Sequence, residues 1–196
     1  WVVAVFVGVL VHELGHAVVM RWNGFQPSIT LYGLGGAASY GPNVYGAPSL
    51  SPWRQIGISV AGPVAGFLLA AAVCLGLIAS GVGIQVFWGF PFGVDVTPAG
   101  YIGGELFTWF IDSFLFVTIA YGILNLMPIY PLDGGHISRE LFLMAMPRDG
   151  IRHSLILSML TAAAIAVLGF TRGSFFLGIM FGYLALGSFN TLQRYQ

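Results

Sequence analysis

From Trp1 to Trp22 the chain is an apolar run, broken only by glycines and by His12, Glu13, His16 and Arg21. A helix that crosses a bilayer needs about 20 mainly apolar residues, so this run predicts a first span. Four more stretches meet the same condition: Pro52 to Ala79, Glu105 to Met127, Ile151 to Gly169 and Ser174 to Leu192. The third is interrupted at its end by Pro128 and Pro131. Between the first two spans, Gly24 to Ser51 is rich in Gly, Pro, Ser and Tyr and carries no charge. Within it, Pro27-Ser-Ile-Thr-Leu-Tyr alternates and then turns at glycines, which predicts a short re-entrant β-hairpin. Non-helical backbone at membrane depth is tolerated only against protein or a water-filled cavity. Ser80 to Gly104, rich in Gly, Phe and Pro, reads as a connecting loop. The predicted fold is therefore an all-α polytopic membrane protein with about five transmembrane helices. A short re-entrant β-hairpin follows the first helix, and the whole of 1–196 is taken as one domain.

Composition supports lipid as the solvent. Of the 196 residues, 57% are hydrophobic and 7% charged, against roughly 25% charged in a soluble domain. Seven acids balance seven basic residues, all of them Arg. That neutrality argues against a nucleic-acid partner, which would require a basic face. A single cysteine, Cys74, excludes an internal disulfide framework. No charged segment precedes the first run and no small-residue cleavage site follows it. It is read as a span rather than a signal peptide, with an upstream segment either missing or never there.

Alternating the spans puts Arg21, Arg54, Arg139, Arg148, Arg152 and Arg194 on one side and leaves Arg172 on the other, near Asp95 and Glu105. The positive-inside rule makes the Arg-rich side cytoplasmic. The expected setting is a multi-pass protein of the cell (inner) membrane, with its polar motifs toward the cytoplasm. Trp53, Trp88 and Trp109 near helix ends fit an interfacial aromatic belt.

The first span carries His12-Glu13-Leu14-Gly15-His16. Residues i and i+4 share one helix face, so the two imidazoles can grip one zinc ion while Glu13 serves an activated water as general base. Two His and a Glu in hydrocarbon are costly unless paired or metal-bound. A third ligand is then wanted, and the end of the third span offers one. In Asn125-Leu-Met-Pro128-Ile-Tyr-Pro131-Leu-Asp133-Gly134-Gly135-His136 the prolines break the helix and the glycines allow a tight turn. A carboxylate at such a break can point into the bundle, and the arginine topology puts Asp133 at the depth of the first motif. The plain alternatives for Asp133 are a helix cap or a surface turn.

The two motifs together, H-E-L-G-H and N-x-x-P-x-x-P-L-D-G-G, resemble the site-2 protease family of intramembrane metalloproteases over the chain from the first helix to about His136. The resemblance implies one Zn2+ per chain held by His12, His16 and Asp133, with Glu13 activating water. It implies that Asn125 positions or stabilises the substrate peptide. It also implies a membrane-anchored protein as substrate, cut in or near its transmembrane segment. Ser59 to Gly66 is similar to the family's small-residue stretch, for which plain helix packing is the simpler role. Many relatives carry a further helix before the first motif, or PDZ or CBS domains; none fits within these residues, which are read either as a minimal member or as the membrane core of a longer protein.

A substrate helix hides its amides and must unwind. The hairpin near Ile29 to Tyr32 is expected to hold the extended peptide as an added strand, which nominates Ile29 and Leu31 as substrate-binding. His136 either orients Asp133 or begins a helix, Asp112 makes a hydrogen bond in the bundle or lines an outer water pocket, and His153 is solvated. A di-iron oxygenase would need about eight His where this chain has four. A zinc transporter would spread its ligands along a path, and a dead scaffold would not need Glu13. Oligomeric state is not legible.

Overall fold

The computed structural model describes residues 1–32, 35–40, 50–87, 95–100 and 102–195. Trp88 and the predicted hairpin turn at Gly33 lie outside them. Six helices are present among the described residues: α1 (Val2–Trp22), α2 (Pro52–Ala79), α3 (Glu105–Asn125), α4 (Asp133–Ala145), α5 (Gly150–Thr171) and α6 (Phe175–Gln193). All but α4 are long and apolar enough to cross a membrane, which matches the five expected spans. The expected hairpin is there as β1 (Ser28–Tyr32) antiparallel to β2 (Gly35–Ser39), with Ile29 opposite Ala38 and Leu31 opposite Gly36.

Two elements depart from expectation. The loop foreseen over Ser80 to Gly104 contains a second antiparallel pair, β3 (Ile84–Phe87) and β4 (Asp95–Pro98), with Val86 opposite Val96. Four-residue strands lie near the lower limit of strand length, and the surrounding Gly, Phe and Pro hide their alternation. The third span ends at Asn125, and a separate 13-residue helix, α4, begins at Asp133. That helix is too short to cross a bilayer and mixes Arg139 and Glu140 with apolar residues, so a search for spans passes over it.

By internal contacts the chain forms two compact units, Trp1–Ser49 with Ala61–Leu124, and Leu50–Val60 with Asn125–Gln196. In the first, α1 buries one stripe, Ala4, Gly8, Val9, His12, Glu13, His16, Ala17 and Met20, the i, i+4 spacing of a single helix face. Its opposite face, Val3, Phe6, Leu14 and Val18, is exposed, as suits a helix bathed in lipid. Gly8 lies against Thr118 of α3, and Gly15 against the backbone of Ala61 in α2. Away from the motifs, Ala70 and Leu77 of α2 pack on Ile111 and Leu115 of α3, and Ile84 and Val96 of the second hairpin close over them.

The second unit is built on α4, α5 and α6. Ser158 of α5 and Ser188 of α6, both almost fully buried, share a 2.7 Å hydrogen bond. Gly169 faces Gly178 at the other end of the pair, where an added Cβ would lie 2.8 Å from the Gly178 nitrogen. Small residues at both ends let α5 and α6 approach closely, a usual device of helix pairing in lipid.

Candidate metal centre and active site

The first unit supplies a pair of imidazoles and a carboxylate on one helix. His12, Glu13 and His16 are 3%, 3% and 6% exposed, so the three most polar side chains of α1 before its last turn are withdrawn from solvent and lipid alike. The helical repeat stacks His12 one turn below His16. Their Nε2 atoms stand 3.1 Å apart, and the rings meet edge to face with centroids 4.8 Å apart. Two nitrogens bound to one tetrahedral zinc at about 2.0–2.1 Å each would stand roughly 3.3 Å apart. The pair therefore fits the ion closely, and imidazole and carboxylate oxygen are ordinary zinc donors.

Neighbouring elements hold this pair in place. Gly62 of α2 lies directly over His16: a side chain there would run into the His16 Nε2. The Tyr121 ring of α3 meets His12 edge to face, centroids 4.9 Å apart, and its hydroxyl would lie 3.5 Å from a Cβ at Gly35. Gly36 of β2 rests on Glu13, where an added Cβ would lie 2.6 Å from Glu13 Cγ. The hairpin thus packs onto the helix that bears the motif at the carboxylate itself. Ile29 and Leu31 of β1 are half-buried and alternate with exposed Ser28 and Thr30, and Leu31 pairs with Gly36.

The second unit supplies Asn125 and Asp133 across a helix break. Asn125, 7% exposed, is the last residue of α3, and Asp133, half-buried, is the first of α4. A carboxylate in the first turn is favoured by the helix dipole. The break is tightly specified. Tyr130–Pro131 is a cis peptide. The Tyr130 N–H donates to Ser158 Oγ at 2.7 Å, which fastens the turn to the buried Ser158–Ser188 pair. Gly134 sits on the carbonyls of Leu126 and Met127, and Gly135 on the backbone of Ile129, where an added Cβ would come within 2.6 Å of the Ile129 carbonyl carbon. No side chain fits at either position. His136 lies in the first turn of α4 with its ring edge-on to Tyr130, centroids 5.7 Å apart, in line with the helix-start reading.

Three positions escaped sequence reasoning. Gly62 belongs to a stretch read as plain packing, yet it abuts a candidate ligand. Gly36 was taken as part of a turn, yet it faces Glu13. Tyr121 was not singled out within its apolar helix. A signal for it existed: it lies four residues before Asn125, on the same face of α3.

A membrane-type helical bundle with an H-E-x-x-H helix and a polar helix break defines a class, the polytopic membrane proteins of metallopeptidase type. Residues 1–169 match the model of Peptidase family M50, and the chain belongs to that family, the site-2 proteases. Two similar curated proteins are named as zinc metalloproteases. One is sll0528 of Synechocystis sp., 28% identical over 137 residues, 69% of this chain and 29% of that protein. The other is Rip3 of Mycobacterium tuberculosis, 30% identical over 152 residues, 76% of this chain and 32% of that protein. The chain thus spans about three-tenths of the length of the curated relatives it matches. Among solved structures, the site-2 protease from Methanocaldococcus jannaschii shares the fold, with a TM-score of 0.61 at 20% identity over 97% of this chain and 76% of that one.

Proposed function

We propose that this chain is the catalytic core of an intramembrane zinc metalloprotease that hydrolyses a peptide bond in or near the transmembrane segment of a membrane-anchored protein. The observation that carries this reading is the His12–His16 pair, buried in an apolar helix with its Nε2 atoms 3.1 Å apart and Glu13 between them in sequence. His12, His16 and Asp133 are the proposed ligands of one Zn2+. Bound zinc supplies Lewis acidity and brings the ionisation of water down toward neutral pH.

The chain's own residues then divide the work. Glu13 accepts a proton from the attacking water and returns it to the leaving amine. The Asn125 side-chain amide donates to the carbonyl oxygen as negative charge develops there. The outer edge of β1, at Ile29 and Leu31, takes up the unwound substrate as an added strand. Main-chain hydrogen bonds then give affinity and the alternating side chains give selectivity. The packing of Gly36 on Glu13 supports this, because it ties the hairpin to the proposed general base. The distribution of arginines supports a cell-membrane protein whose site opens toward the cytoplasm.

The decisive experiment pairs metal analysis with cleavage of a model transmembrane substrate by the purified protein and by Glu13→Gln. The variant should keep one zinc per chain and lose about 10²–10⁴-fold in rate. Hydrolysis at the parent rate would remove Glu13 from the mechanism, and a parent protein without zinc would end the metalloprotease reading.

A further inference from the structure

The second unit contains a small polar cavity that the proposed hydrolysis does not use. It has a volume of about 50 Å³ and is lined by Arg139 of α4, Ser154 and Leu155 of α5, Thr191 near the end of α6, and Tyr130 and Tyr195. That is room for a few waters or one phosphoryl group. Ser154 lies in the first turns of α5 and Thr191 in the last turn of α6, so the cavity sits at the helix ends. Arg148, Arg152 and Arg194 lie at the same helix ends, where lipid headgroups would surround the bundle.

Among the described residues Arg139 has no counter-charge: its guanidinium makes no hydrogen bond or ion pair, and its Nε is shielded from solvent without a partner. No carboxylate lines the cavity. Arg139 is half-buried, and a guanidinium nitrogen shielded from solvent without a partner is costly; an anion in the cavity would relieve it.

The hydroxyls narrow the choice. Ser154 Oγ already donates to the Ile151 carbonyl at 2.8 Å, and Thr191 Oγ1 to the Gly187 carbonyl at 2.8 Å. While those bonds are kept, each hydroxyl presents its lone pairs to a ligand. A ligand that suits these three side chains together presents a negative oxygen to Arg139 and a hydrogen-bond donor to Ser154 and Thr191.

We propose that this cavity binds a phosphate group that carries such a donor beside it. Phosphatidylglycerol offers one in its glycerol hydroxyls, phosphatidylethanolamine in its ammonium, and hydrogen phosphate in its own P–OH. Phosphatidylcholine has the phosphate but no N–H or O–H donor in its headgroup, so it fits only half of the site. The guanidinium supplies charge-assisted hydrogen bonds to the phosphate, and the basic helix ends draw anionic headgroups toward it.

The test is a native mass-spectrometry titration of the detergent-solubilised full chain with the three lipids at matched acyl length, alongside thermal melting in inorganic phosphate. The parent should bind phosphatidylglycerol and phosphatidylethanolamine about tenfold more tightly than phosphatidylcholine. Arg139→Gln should lose about tenfold for the two preferred lipids. Arg148→Gln, an exposed arginine outside the cavity, should cost clearly less than Arg139→Gln, since it removes only long-range attraction. Thr191→Val should narrow the gap to phosphatidylcholine and serves as the second variant if Arg139→Gln does not fold. Stabilisation by inorganic phosphate alone, lost in Arg139→Gln, supports the same site with free phosphate as the source. The proposal falls if all three lipids bind alike, if Arg148→Gln costs as much as Arg139→Gln, or if neither lipid nor phosphate binds and the cavity holds water alone.

Discussion

In the first unit one unbroken helix, α1, carries His12, Glu13 and His16, whereas in the second unit Asn125 and Asp133 stand on either side of a helix break. The unbroken helix needs no special backbone, because its repeat alone brings the imidazoles together. Its cost is desolvation, because all three side chains are buried, with Gly36 and Gly62 packed against two of them, and pairing or a bound metal is what offsets that cost. The break needs two glycines with no room for a Cβ and a serine in the neighbouring helix to receive a freed N–H. Regular structure makes a site cheaply where the geometry suits. Elsewhere the chain spends specific residues on backbone shape. Substitutions in the two regions should therefore fail differently, those at the break in folding and those on the helix in metal retention.

The largest effect is expected at the break. A methyl group at Gly134 would run into the Leu126 and Met127 carbonyls. Backbone cannot yield as a flexible side chain does, so Gly134→Ala should destabilise by about 3 kcal/mol or more. Thermal melting in detergent checks this, and an unchanged melting point would show the turn to be adjustable. Next comes Gly62→Ala, which puts its Cβ against His16. The helix should survive, since Ala is the better helix former. Zinc affinity should fall about 10–100-fold, the usual penalty for disturbing the groups that orient a ligand, as measured by competition with a chelator. If Gly62→Ala melted the protein with zinc affinity intact, the contrast between the two regions would be wrong. Third is Ser158→Ala, which removes the acceptor for Tyr130 N–H and the partner of Ser188. Each buried group left unsatisfied costs about 1–3 kcal/mol. The loss should appear as stability, with zinc content unchanged.

Much of this arrangement was legible from residue order, for physical reasons. The boundaries of α2 follow directly from the apolar run Pro52 to Ala79, and the pairing of His12 with His16 follows from the helical repeat. The hairpin showed itself through the alternation at Ser28 to Leu31. What stayed hidden depends on neighbours distant in sequence. Nothing local distinguishes Gly62, which abuts His16, from Gly66, which sits near Thr118. Helix α4 was missed because it is neither long nor apolar enough to read as a span. The second hairpin was missed because its strands are short and lie in Gly- and Phe-rich surroundings. Arg139 read as one of the arginines of the cytoplasmic side, and the fold alone shows its Nε shielded without a partner.

Tyr121 provides the finest test of how the helix-borne half is held. Its ring touches His12 edge to face and its hydroxyl reaches toward Gly35, so it could matter through ring, hydroxyl or both. An aromatic edge-to-face pair is worth about 0.5–1.5 kcal/mol beyond its buried area. If the ring is what steadies His12, Tyr121→Phe should bind zinc like the parent, and Tyr121→Leu should lose about two- to tenfold in affinity, the same energy expressed as an equilibrium. The electronic spectrum of the cobalt-substituted protein adds a readout that simple loss of packing would not move. Its ligand-field bands should shift in the Leu variant and stay fixed in the Phe variant. Equal losses in both variants would assign the role to the hydroxyl and its place beside the hairpin. No loss in either would leave Gly62 and the hairpin as the supports of the imidazole pair.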